Sequence, residues 1–119
     1  QRTMQACAAA CVPCPRTLCD MHSADEILAA DIPFPFIIKP RVGYGSIGFH
    51  VIRDEAQLRE VFDGAVRRFG PMVVQDYVPQ TGTQYKCEVF LDADGQPKSA
   101  VVFDKTRWYP TDGGSTCCS

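Results

Sequence analysis

No stretch of this chain stays apolar over the roughly 20 residues that a membrane-spanning helix needs, and no signal-peptide pattern is visible in it. An excess of one charge is also missing. Twelve Lys and Arg stand against 14 Asp and Glu, a net charge of −2, and the basic residues are scattered. That leaves no electrostatic case for binding duplex nucleic acid or an acidic membrane surface. A secreted disulfide framework prefers an even number of cysteines, and here there are seven. A reducing cytoplasm fits that number better.

What is present is the composition of a soluble globular domain, with 119 residues, enough for one modest core. The chain opens on Gln1 rather than Met and ends in "GGSTCCS" without a helix cap, which predicts a piece of a longer polypeptide. Cys7, Cys11 and Cys14 are spaced C-x3-C-x2-C, the iron–sulfur spacing of radical SAM enzymes. The chain is too short for the barrel such a cluster needs, and "ACAAACVPC" reads instead as an Ala-rich helix end. Zinc at Cys14, Cys19 and His22, or at the crowded Cys117–Cys118, is set below the reading of these cysteines as small core residues.

Periodicity divides the rest. Residues 3–11 read as a helix ended by Pro13 and Pro15. Ser23 and Glu26 form a capping box for a helix running to about Ala30, before Pro33. "FPFIIK" (34–39) and "GFHVIR" (48–53) read as strands. Leu58, Val61, Phe62, Ala65, Val66 and Phe69 make one apolar stripe over 55–69, capped by Asp54 with Gln57 and stopped by Gly70 and Pro71. "MVVQDY" is the next strand. "YKCEVFL" alternates, with Tyr85, Cys87, Val89 and Leu91 on one face, and turns through "DADG" into "KSAVVFD". The predicted order is α-α-β-β-α-β-β-β. Short loops between paired strands make the class α+β, with antiparallel neighbours.

Gly43, Gly45 and Gly48 spell G-x-G-x-x-G. A dinucleotide fingerprint needs a helix after the glycines, so that the pyrophosphate rests on its N-terminus. Here β-branched Val51 and Ile52 follow, which favours a strand. No Gly-Lys-Ser/Thr closes a P-loop either. A strand–glycine tip–strand hairpin is a different device: a backbone bare of side chains turns N–H donors toward phosphate oxygens. Protein kinases carry their phosphate lysine after such a tip, whereas Lys39 comes before it. The plain alternative is a flexible hairpin beside a surface lysine.

"FPFIIKPRVGYGSIG", then "MVVQDYVP", then "QYKCEVFLDADGQPKSAVVFDKTRWYPTDGGST" resemble, in order, three motifs of the ATP-grasp superfamily. The likeness is to the branch of carbamoyl-phosphate synthase large chains and related carboxylate–amine ligases, and it covers about residues 10–119. It implies N-terminal helices of the ATP-grasp region over 1–32. A lid subdomain with the phosphate loop would span 33–78, and the first strands of the following subdomain 79–119. It further implies that Lys39 contacts ATP phosphates, with Gly43, Gly45, Ser46 and Gly48 as the loop over them. Gln75, Asp76, Tyr77 and Val78 would be the adenine hinge, read through the backbone beside Tyr77 and Val78. Gln84 falls where relatives place a ribose-binding glutamate, and Glu88 is either a second candidate or a strand-surface carboxylate. Lys105 and Arg107 match the catalytic cations near the transferring phosphoryl group. Gly113, Gly114, Ser115 and Thr116 resemble a substrate-proximal turn, and Trp108 and Tyr109 are read as packing.

The resemblance implies ATP and Mg²⁺ as cofactors and a small carboxylate as substrate. The magnesium carboxylates are expected beyond Ser119, so no metal ligand is assigned here, and Asp92 and Asp94 are read as turn formers. Alone, the segment is expected not to turn over, and to be able to dimerise through apolar faces left uncovered. The competing expectation is a non-catalytic nucleotide-binding or interaction domain with the same fold.

Overall fold

The computed structural model describes residues 2–79, 81–109 and 115–118. The chain divides into two compact units, Gln1–Val78 and Pro79–Ser119. The first holds α1 (Arg2–Ala9), β1 (Thr17–Met21), α2 (Ala24–Ala29), β2 (Phe36–Pro40), β3 (His50–Ile52), α3 (Glu55–Phe69) and β4 (Met72–Asp76). The second holds β5 (Gln84–Leu91), β6 (Pro97–Lys105), β7 (Arg107–Tyr109) and β8 (Ser115–Cys118).

The strands of the first unit form one sheet in the order β1-β4-β2-β3, and each pair is antiparallel. Alternation along the strands sends Phe36, Ile38, Ile52, Met72 and Val74 to one face. There they join Ile27 of α2 and Leu58, Phe62 and Ala65 of α3 in a single buried cluster. The stripe read from the sequence is thus the inner face of α3: Leu58 and Phe62 are completely buried, while Val61, Val66 and Phe69 pack at the margin. The other face of the sheet carries Thr17, Ile37, Lys39, Val73 and Gln75, because residues directly opposite in a ladder point the same way.

Both helix starts are capped as their sequences predict, with one addition. Ser23 accepts the N–H of Glu26, and Asp54 accepts the N–H of Gln57 at 2.8 Å. The reciprocal side chains reach one residue further back than the standard box. Glu26 accepts from the N–H of His22, and Gln57 from that of Arg53, both at 2.8 Å. Replacing Asp54→Ala removes the acceptor for one of α3's otherwise unpaired N–H groups. The expected loss is about 1 kcal/mol of unfolding free energy, measured by chemical denaturation followed by far-ultraviolet circular dichroism.

The expected order lacked three strands. β1 lies between Pro15 and the Ser23 cap, and five residues give too short a pattern to stand out by periodicity; pairing with β4 makes it a strand. β7 and β8 pair in a two-stranded ladder. Ser115 and Thr116, read as part of a turn, therefore lie in a strand, while Gly113 and Gly114 fall outside the described residues. Tyr109, expected to pack, is 79% exposed.

In the second unit β5 and β6 form a hairpin, closed as predicted by Asp92–Gly95. Asp92 Oδ1 accepts the N–H groups of Asp94 and Gln96, and Oδ2 pairs with Lys98. Lys98 first, and then these N–H groups, hold the Asp92 carboxyl below its ordinary value. Both carboxylate oxygens are thus committed to the turn. Tyr85, Cys87 and Val89 share one face of the hairpin with Val102 and Ala100, as the alternation predicts, and all five are exposed.

Candidate functional site

β2 and β3 are the two arms of the predicted glycine hairpin, with Phe36 opposite Ile52. The tip is two overlapping turns. The Ile47 N–H bonds the Tyr44 carbonyl at 3.2 Å, around Gly45 and Ser46 with φ of 60° and 59°. Two successive positive φ angles are the pattern of a type I′ turn, whose twist suits a hairpin. The Phe49 N–H then bonds the Ser46 carbonyl at 3.1 Å, with Gly48 at φ 77° in the position that a type II turn reserves for glycine. The chain therefore leaves the glycines in a strand rather than a helix, so it does not present the helix N-terminus of a dinucleotide fold.

The tip offers backbone donors. Among the described residues, the N–H groups of Gly43, Gly45 and Gly48 meet no hydrogen-bond acceptor. A side chain would find open space at Gly45, and at Gly43 nothing nearer than Pro40 Cβ at 3.8 Å. Gly48 differs. A Cβ there would stand 2.8 Å from both Phe69 Cε2 and Pro40 Cγ. Gly43 and Gly45 thus leave the backbone approachable, while Gly48 lets the tip settle onto α3 and the start of the loop. Val42 and Tyr44 project from the tip, 92% and 84% exposed. Arg41 is half exposed and pairs with Asp20 of β1.

Lys39 is half-buried on the sheet face opposite the core. Its ammonium donates to Gln75 Oε1 at 3.0 Å. Gln75 sits on β4, between β1 and β2, and is 8% exposed. Two residues predicted from separate motifs, the phosphate lysine and the first hinge residue, are thus in direct contact. Gln75 holds the lysine with a neutral group, so this contact brings no opposing charge to it. No other described residue takes Lys39's two remaining donors.

Asp76 has a different employment. Its N–H bonds the Arg16 carbonyl, and its Oδ2 accepts the Arg16 N–H, both at 3.0 Å. Its Oδ1 is buried without a partner among the described residues. The carboxylate therefore fastens the entry of β1 onto the end of β4. The Arg16 side chain meanwhile caps the end of α2 through the carbonyls of Ala30 and Asp31. Tyr77 is half-buried and Val78 is 64% exposed at the end of the unit. Outside the sheet ladders no backbone bond engages either of them among the described residues, which leaves their main chain able to read a planar ring edge.

In the second unit Gln84 and Lys105 are direct cross-strand partners, and Lys105 Nζ donates to Gln84 Oε1 at 3.1 Å. The candidate ribose residue and a candidate phosphoryl cation are thus neighbours. Arg107 is exposed on β7, opposite Cys118 in the ladder, and Glu88 is ion-paired with Lys86. Sequence reasoning missed Thr17, which accepts from Gln75 Nε2 at 2.8 Å. A cross-strand partner 58 residues away leaves no local pattern to read.

The ATP-grasp domain model matches residues 32–116, well over half of the chain. The chain belongs to the ATP-grasp family. ATP-grasp relatives include a D-alanine–D-alanine ligase of Pediococcus pentosaceus, 31% identical over 92 residues, which are 75% of this chain and 24% of the relative. A D-alanine–D-alanine ligase of Anaplasma centrale is 35% identical over 69 residues, 56% of this chain and 33% of the relative. The crystal structure of the D-alanine–D-alanine ligase from Helicobacter pylori shares the fold, with a TM-score of 0.62 and 17% identity, over 84% of this chain and 30% of that one. This ATP-grasp chain therefore spans about a quarter to a third of the length of these proteins. Its mixed helices and antiparallel sheets agree with the α+β class expected for the family. No described helix is long and apolar enough to cross a membrane.

Proposed function

We propose that this chain is the ATP-binding portion of an ATP-grasp ligase that activates a carboxylate as an acyl phosphate for attack by an amine. One observation carries this reading: a lysine held by a neutral amide, immediately before a hairpin tip where the N–H groups of Gly43, Gly45 and Gly48 meet no acceptor among the described residues. Lys39 supplies a charge for the phosphates, and the donors of Gly43, Gly45 and Gly48 complete the cradle beside Ser46. The main chain beside Tyr77 and Val78 reads adenine, and Gln84 takes the ribose with a neutral side chain. In this reading Lys105 and Arg107 serve the transferring phosphoryl group, since cations stabilise developing negative charge.

Magnesium is part of the parent reaction in this reading. The described residues do not fit it: none group three acids, histidines or cysteines around one point, and Asp92 is committed to its turn. The names of the relatives describe joining one amino acid to another, which favours an amino acid as the carboxylate. The motif order that resembles carbamoyl-phosphate synthase belongs to the same carboxylate–amine class. The reaction is placed in the cytoplasm, in keeping with the free thiols of Cys7, Cys11, Cys14, Cys19 and Cys87.

Lys39→Met tests the reading directly. Losing a charge-assisted bond to phosphate is expected to weaken ATP binding about tenfold to a hundredfold, measured by calorimetric titration of the full chain. Circular dichroism should be unchanged, because the side chain lies outside the core cluster. Equal affinity in the two proteins, or no binding by the unsubstituted chain, defeats the proposal.

A further inference from the structure

From the hydrogen-bond chain on the outer face of the sheet we infer that Thr17 is a positioning residue, fixing through Gln75 the place and orientation of the Lys39 ammonium. The inference rests on the reading of Lys39 as the phosphate lysine.

The chain has four members. Lys39 Nζ donates to Gln75 Oε1 at 3.0 Å, Gln75 Nε2 donates to Thr17 Oγ1 at 2.8 Å, and Thr17 Oγ1 donates to the Pro15 carbonyl at 2.9 Å. Its two ends fix its direction. An ammonium only donates, and a carbonyl only accepts. Thr17 has one hydroxyl proton, and Pro15 holds it, so toward Gln75 the hydroxyl only accepts. The buried amide must then turn its NH2 to Thr17 and its oxygen to Lys39. The remaining amide proton faces the sulfur of Met4 on α1, with Nε2 3.9 Å from Sδ.

Without the Thr17 hydroxyl the amide NH2 keeps only the weak sulfur acceptor of Met4. An amide flipped by half a turn would present its NH2 to the ammonium, donor against donor, and Lys39 would leave its place. The sheet makes the relay possible. Thr17 and Gln75 are direct partners across β1 and β4, and Lys39 lies two residues along β2 from Ile37, Gln75's partner on the other side. Serine keeps the hydroxyl and should keep the function. Valine keeps the shape and loses it.

The test uses the full chain labelled with ¹⁵N and ¹³C, in two measurements. The first is the scalar coupling across the hydrogen bond between Lys39 Nζ and Gln75 Cδ, which needs no nucleotide. The second is ATP affinity by calorimetry. Thr17→Val is expected to abolish the coupling and weaken ATP binding roughly threefold to tenfold, the range for one neutral hydrogen bond, while Thr17→Ser retains both. Thr17→Ala serves as a second variant should valine disturb the fold. Coupling and affinity intact in Thr17→Val, with affinity lost in Lys39→Met, overturns the relay and spares the nucleotide reading. Coupling that follows the hydroxyl, in a chain that binds no ATP, supports the relay and overturns the nucleotide reading. Thr17→Ser behaving like Thr17→Val overturns the inference.

Discussion

Phe62→Ala is expected to remove about 3–5 kcal/mol of stability, the usual cost of deleting a buried aromatic side chain and leaving a cavity. Phe62 is completely enclosed, in the middle of the α3 stripe. Its cluster includes Phe36 and Ile38, the inward residues of the strand that carries Lys39 outward. Losing the ring therefore loosens the support of the site as well as the core. A small domain is stable by only about 5–15 kcal/mol, so the variant should lie close to unfolding. Denaturation followed by far-ultraviolet circular dichroism isolates the effect, because the described helices all belong to the first unit. A change below about 1 kcal/mol would mean that the α3–sheet interface does not carry the fold as the burial pattern requires.

The features that were legible in the sequence are those determined by neighbours along the chain. The α3 stripe spans 55–69 in both sequence and structure, because helical periodicity, an Asp54 cap and a Gly70 stop agree with one another. The Ser23 box and the Asp92 turn are equally local. The hairpin tip was legible as a hairpin because Val51 and Ile52 follow the glycines. What escaped notice depends on distant partners. β1 is a strand because β4 offers it an edge, and Asp76 clamps its entry. Lys39 was visible as a candidate, but its contact with Gln75 spans 36 residues of sequence. The second contact of the same kind, Lys105 with Gln84, spans 21. In each, a lysine donates to an amide carbonyl. At Lys39 the choice matters physically: an ion pair would neutralise the charge, whereas an amide orients it and leaves it available to an anion.

Gly48→Ala and Gly43→Ala separate what the glycines do for the fold from what they do for a ligand. At Gly48 the backbone is left-handed, which costs an L residue about 1–2 kcal/mol, and the new methyl would overlap Phe69 and Pro40. Pro40 is rigid, and the Phe69 ring packs against the core cluster, so neither yields cheaply. Strain and overpacking together give an expected loss of about 2–4 kcal/mol, read from the denaturation midpoint, and the tip should lift from α3. Gly43 carries neither constraint: its φ is not positive, and its nearest neighbour stands at ordinary contact distance. Gly43→Ala should leave stability within about 0.5 kcal/mol of the parent. If the tip lies over phosphates, however, the methyl stands between the backbone donors and the anion, and ATP affinity should fall while the fold persists. A Gly43→Ala chain that keeps both stability and affinity would show that the tip closes over no ligand. A Gly48→Ala chain as stable as its parent would show that the tip does not rest where Phe69 and Pro40 place it.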